Sequence, residues 1–146
     1  MEQAYDALDD TTKDTIEHLT ATHSLRPNFG RRLSGDELET ALAEFPDQHH
    51  PLVRVHPATG RRSLLVSNPF VTAIDGLDPE TGADLLRRLQ HLADDPSFQV
   101  RFRWRPDSFA MWDNRNTMHR ATQDFTGRRR MERVTLLGDR PVGPEA

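Results

Sequence analysis

The chain of 146 residues contains no cysteine, a single tyrosine and, among its nineteen basic residues, a single lysine, Lys13. The missing cysteines exclude disulfides and thiolate metal sites and fit a reducing compartment. The near-absence of lysine reads as the codon usage of a GC-rich genome, with no functional weight. No apolar run approaches the ~20 residues of a membrane helix, and the amino terminus lacks the basic-then-apolar order of a signal peptide. The expectation is therefore a cytoplasmic protein without a membrane partner. A formal charge of -4 argues against a dedicated nucleic-acid binder, whose phosphate contacts demand a basic face. None of the seven histidines is followed two residues later by Asp or Glu, so the chain has no His-X-Asp or His-X-Glu chelating pair. Apolar residues make up only 35% and the mean hydropathy is -0.74. A complete domain of this length buries roughly two thirds of its unfolded surface, so the core is expected to be thin or shared.

What is present divides by hydrophobic period. Tyr5, Leu8, Ile16 and Leu19 fall on one helical stripe from about Ala4 to Thr20, interrupted by Asp9-Asp10-Thr11-Thr12. Residues Leu25 to Leu33 read as a loop. Ser34, with Glu37 three residues on, then caps a short helix carrying Leu38, Leu42 and Phe45, and Pro46 to Pro51 breaks it. Leu52, Val53 and Val55 predict a strand, Pro57-Ala58-Thr59-Gly60 a turn and Ser63 to Ser67 a second strand, together a hairpin. Asp78-Pro79-Glu80 opens the clearest helix, with Leu85, Leu86, Leu89 and Leu92 on its apolar face and Asp84, Arg87, Arg88 and His91 on a solvated one. From Phe98 to Arg105 apolar and polar residues alternate strictly, and Ser108 to Trp112 and Arg128 to Leu137 predict two further strands. The expected class is α+β, mainly antiparallel β, with helices added.

The last third carries the chemistry. Trp112-Asp113-Asn114-Arg115 leads to His119, and Arg129 and Arg133 follow on a predicted strand. One imidazole and two guanidiniums suggest a metal ligand plus anchors for a carboxylate cosubstrate. Residues four apart on a strand share a face about 13 Å apart at the backbone, near enough for two long arginines to converge on one small dianion. The guanidinium fork pairs bidentately with carboxylate or sulfonate at any working pH. A lone histidine before a polar loop is otherwise a surface residue. Adjacent His49 and His50 point apart in an extended segment, which makes them a loop pair with no chelating role, and His56 in the hairpin is structural. The Arg128-Arg129-Arg130 run is a weak nucleic-acid surface because alternation turns its middle member away.

Taken in order, His56-Pro57-Ala58-Thr59-Gly60, Phe98-Gln99-Val100-Arg101-Phe102-Arg103-Trp104, Trp112-Asp113-Asn114-Arg115, His119, Arg129, Arg133 and Leu137-Gly138-Asp139 closely resemble the carboxyl half of the taurine dioxygenase family. The resemblance runs from about Tyr5 to Pro141. It implies that residues 1–146 are the carboxyl-terminal portion of a single dioxygenase domain, a partial double-stranded β-helix, or jelly roll, lacking its amino-terminal strands. It also implies an Fe(II)- and 2-oxoglutarate-dependent oxidoreductase that hydroxylates a small acid next to a sulfonate, sulfate or related group.

His119 would be the third iron ligand of a two-His-one-carboxylate triad. Arg129, with Arg130 as a rival because the spacing from His119 is one residue short, would grip the far carboxylate of 2-oxoglutarate. Arg133 would lie near its other end and the substrate's acidic group. Phe29 and Phe70 match aromatic positions of the substrate pocket, and equally fit a core role. Trp112 would pack beneath the metal-bearing loop, with Asn114 and Arg115 ordering the turn that presents His119.

The departure from the family is the missing His-X-Asp pair, without which one imidazole does not hold Fe(II) usefully. The chain alone is expected to be inactive. Unpaired barrel edges further predict self-association or completion by an amino-terminal half. The alternative is a catalytically inactive remnant or accessory chain that dimerises or docks on a partner.

Overall fold

The computed structural model describes residues 1–145. The expected first helix is two, α1 (Glu2–Asp6), which ends at Ala7, and α2 (Asp10–Ile16), which Asp9 caps. Its carboxylate accepts the Thr12 N–H at 2.8 Å and the Thr12 hydroxyl at 2.7 Å. The chain then extends into β1 (Thr20–His23) and turns through the short α3 (Arg26–Phe29) into α4 (Gly35–Glu44). The capping pair forms as expected, with the Glu37 carboxylate accepting the Ser34 N–H at 3.1 Å and hydroxyl at 2.8 Å.

Three strands assemble around β1. It pairs antiparallel with β2 (Gln48–Pro51) on one side and with β5 (Val71–Ile74) on the other. None of the three was expected, and Gln48 to Pro51 had been read as a helix breaker. Their sequences hide the signal: Thr-Ala-Thr-His buries only Ala21 fully, and Gln-His-His-Pro buries no residue fully. The expected hairpin forms as β3 (Val53–Val55) and β4 (Arg62–Leu64), closed by Gly60 at φ +70°.

Helix α5 (Pro79–Ala93) starts as its sequence requires, with the Asp78 side chain accepting the Thr81 N–H at 3.0 Å and Pro79 in the first turn. It lays Leu86 and Leu89 into the core, with Leu85 and Leu92 at the margin. At Gly82 it packs against β5, where an added Cβ would meet the Ile74 carbonyl oxygen at an ordinary contact distance of 3.6 Å. Ile16, Leu52, Val53, Val66 and Leu89 form the fully buried centre.

A short 3-10 turn at Pro96–Phe98 ends the regular structure. The three strands expected at 98–105, 108–112 and 128–137 are not formed, and the described residues from Gln99 onward contain neither helix nor strand. The alternation is real, but a strand needs a ladder partner for its N–H and C=O groups as well as a side-chain pattern. No edge of β1 to β5 supplies one to these segments. Their apolar side chains stand in solvent, with Val100 94%, Val134 91% and Leu136 87% exposed. The chain touches the body between them, where the Met1 amino group donates to the Asn116 carbonyl at 2.8 Å, and again beyond them, where the Val55 N–H donates to the Val142 carbonyl at 2.8 Å.

Amide hydrogen exchange checks this division. Central strand β1 and helix α5 are expected to exchange slowest, and amides of 99–137 to exchange orders of magnitude faster. Protection of 128–137 equal to that of β1 in the monomer would contradict it.

Candidate active site

Three of the sequence motifs meet at one junction. His56, at the end of β3, is 5% exposed, and its Nδ1 accepts the backbone N–H groups of Ala58 and Thr59 at 3.2 and 3.3 Å. That fixes the proton on Nε2, which donates to the Asp113 carboxylate at 3.1 Å. Asp113 in turn accepts the Arg115 backbone N–H at 2.8 Å and is gripped by the same residue's guanidinium at 2.7 to 3.0 Å. Arg115 reaches on to Asp139 at 3.8 Å. Hydrogen bonds from Arg115 and then His56 hold the Asp113 carboxyl well below the usual carboxylate range. The structural role expected of His56 and the turn-ordering role expected of Arg115 are thus both present.

This junction sets the turn that leads to His119. Trp112 Nε1 donates to Asn114 Oδ1 at 2.9 Å, and the Trp112 ring lies 4.9 Å, centroid to centroid, from the His119 imidazole. His119 itself is solvent-exposed. Among the described residues no group of three or more His, Cys, Asp or Glu side chains could hold a metal ion.

The arginines behave differently from one another. Arg129 is half-buried, with its guanidinium 5.3 Å above the Phe125 ring. Arg130 is engaged with Glu132 at 2.8 Å. Arg133 is exposed. No hydrogen bond, ion pair or ring contact among the described residues links His119 to Arg129 or Arg133, and without a strand their shared-face alternation is not realised. Phe29 and Phe70 are half-buried and outside the core cluster. They flank the same end of the three-stranded sheet: α3 follows β1 directly, and the Ser24 N–H donates to the Phe70 carbonyl at 2.8 Å.

His49 and His50 do point apart, though on strand β2 rather than in a loop. His49 Nδ1 lies 2.9 Å from Asp75 Oδ2, and Asp75 also accepts hydroxyls from Thr20 and Thr22 at 2.7 and 2.6 Å. On the opposite face His50 meets His23 edge to face, ring centroids 4.9 Å apart. Burial, and secondarily the neighbouring His50, push the His23 imidazole down to about 4. Sequence reading missed this cluster and the buried Arg54, since each depends on β1, β2 and β3 being strands in register.

Comparison with known proteins agrees with the ordered motifs. Residues 1–135 match the family described as taurine catabolism dioxygenase TauD, TfdA. The chain belongs to this TauD/TfdA family. It is 36% identical over 95% of its length to the (S)-phenoxypropionate/alpha-ketoglutarate-dioxygenase of Sphingobium herbicidovorans, covering 50% of that protein. It is 32% identical over 97% of its length to an alkylsulfatase of Acinetobacter baylyi, covering 47% of it. Among solved structures, AAD-2 in complex with Mn(II) and N-oxalylglycine matches with a TM-score of 0.62 and 36% identity, over 72% of this chain and 41% of that one. A taurine dioxygenase from Burkholderia xenovorans matches with a TM-score of 0.56 and 33% identity, over 71% of this chain and 32% of that one. The chain thus spans about half the length of the curated relatives it matches. The mixed helical and antiparallel class expected from sequence is the one observed, and no helix of the described residues is long and apolar enough to cross a membrane.

Two measurements probe the two histidine sites. His56→Ala removes a charge-assisted hydrogen bond and two backbone ones, and is expected to cost about 2–4 kcal/mol in urea unfolding; a change below about 0.5 kcal/mol would show the junction to be ornamental. For His23, the folded state binds its proton less readily than the unfolded chain. Its stability should therefore be full above the ordinary value of 6.5 and fall as pH drops toward 4. His23→Gln should flatten that part of the pH–stability curve, and an unchanged slope would count against the assignment.

Proposed function

We propose that residues 1–146 are the carboxyl-terminal portion of a single TauD-type domain, completed as a partial jelly roll by strands outside them. In the whole domain the reaction is the Fe(II)- and 2-oxoglutarate-dependent hydroxylation of a small organic acid beside its sulfonate, sulfate or carboxylate group. The observation that carries this reading is the unbroken family match over residues 1–135, which contains His119, Arg129 and Arg133 in order. Relatives named for sulfate esters, sulfonates and phenoxy acids point to an acidic substrate.

The residues present do not by themselves fit an iron site. His119 is a single exposed imidazole with an indole, not a carboxylate, beside it. We therefore assign it as one ligand of three and place the His-X-Asp pair on polypeptide outside these residues. Arg129 has the chemistry to grip the far carboxylate of 2-oxoglutarate, and its seat on Phe125 limits the side-chain freedom that binding would otherwise remove. Arg133 carries the substrate's acidic group, and Phe29 and Phe70, at one end of the sheet, line the pocket for its apolar part. The protein is a cytoplasmic enzyme in this reading, with neither nucleic acid nor membrane as partner.

The absence of a metal cluster among the described residues also favours a second reading, a catalytically inactive accessory chain that dimerises or docks on a partner through its exposed apolar segments.

Succinate formation from 2-oxoglutarate with Fe(II) separates the two. The 146-residue chain alone should be silent. A longer polypeptide read from the same locus that includes a His-X-Asp pair should turn over, with Arg129→Gln lowering kcat/KM for 2-oxoglutarate about 100-fold or more. Silence of such a polypeptide would favour the accessory chain, and turnover by the 146 residues alone would overturn the missing-ligand assignment.

A further inference from the structure

The strand that feeds His56 carries a buried charge on its other face. Val53 points into the core at 0% exposure, while its neighbour Arg54 is 6% exposed. A guanidinium stays protonated at any working pH, and a buried charge is strongly unfavourable unless a counter-charge and hydrogen bonds meet it. Arg54 has little of either. Among the described residues it forms no ion pair, and its Nε is buried with no hydrogen-bond partner. The acids whose charge acts on it are shared with Arg115: Asp113 is chelated by Arg115, and Asp139 sits 3.8 Å from the same guanidinium.

Arg54 opens onto a cavity of about 350 Å³ between β3 and the returning tail, with Arg140 on its wall. That volume is at the small end of the range for small-molecule sites. The rest of the wall is largely apolar, from Val55, Pro57 and Val142, with Asp139 and Glu145 as the acids facing in. Both arginines act on His50, whose imidazole is lowered by burial and then by Arg140 and Arg54. Neither Arg129 nor Arg133 lines this cavity.

We propose that the cavity binds a small organic acid, its carboxylate or sulfonate paired with Arg54 and Arg140 and its short apolar body against Val55, Pro57 and Val142. The bound anion supplies the hydrogen-bonded counter-charge that no described residue gives the Arg54 guanidinium. The site is built wholly from residues of this chain and does not depend on the dioxygenase reading.

The test uses the 146-residue chain with sodium acetate, sodium butyrate and sodium chloride at matched ionic strength, followed by thermal unfolding and by isothermal titration. Butyrate is expected to raise Tm where chloride does not, and to bind several-fold more tightly than acetate because of its apolar body. Arg140→Gln should weaken butyrate about tenfold or more without unfolding the chain, and Glu145→Gln should tighten it. Arg54→Met is the decisive variant. In chloride it should be at least as stable as the parent, because an unmet charge has been replaced by an apolar chain, and it should no longer respond to butyrate. If butyrate does no more than chloride, or if Arg54→Met unfolds in chloride and so shows that Asp113 and Asp139 already satisfy the guanidinium, the proposal fails.

Discussion

The contact on which the candidate site depends is the hydrogen bond from His56 Nε2 to the Asp113 carboxylate. It joins segments more than fifty residues apart, the hairpin of the ordered body and the turn that opens the last third. Each partner is preset by its own neighbours, the imidazole by two backbone N–H groups of the Pro57 to Thr59 turn and the carboxylate by the Arg115 fork. The bond therefore forms between groups that have already lost most of their freedom, which lowers the entropic cost of making it. Through it, and through Asn116, which accepts from the Met1 amino group and donates to Glu2, a stretch with no secondary structure of its own is fixed to the body. His119 is six residues beyond Asp113, with Trp112 beside it as the local packing surface.

Local chemistry was legible in the sequence wherever it completes itself within a few residues. The Ser34–Glu37 cap, the Asp78-Pro79 start of α5, its Leu86 and Leu89 face and the hairpin around Gly60 all formed as read. What could not be read were features that exist only through partners. Strand β1 has one fully buried residue, Ala21, and is a strand because β2 and β5 bond to its two edges. Arg54 and the His23–His50 pair follow from that register, since alternation decides which side chains turn inward only once the strands are known.

The same logic runs in reverse for the last third. Phe98 to Arg105 has the cleanest alternation of the chain and no ladder. Phe102 and Trp104 meet edge to face with centroids 4.9 Å apart, and Arg101 pairs with Asp124, so the side chains find local company while the backbone does not. Periodicity records which face a strand would bury; it carries no information on whether the neighbouring strand is at hand. Arg129 and Arg133 inherit this condition. Their convergence on one dianion was argued from a shared strand face, and that face is defined only when the strand is.

The curated relatives align with 94% or more of the chain, whereas the solved structures superimpose on 72% or less, a difference of about a quarter of the sequence. The strandless stretch from Gln99 to the mid-130s is of about that length. Failed folding by poor propensity does not account for it, because Val, Phe and Trp at alternate positions are strong strand formers. The missing ingredient is then the pairing edge, and it is the same ingredient that a jelly roll takes from strands distant in sequence. Under the proposed function, the His-X-Asp ligands and the ladder partners of Phe98 to Leu137 would both come from strands outside these residues, and His119 would serve as a ligand only where a formed strand and turn hold it still.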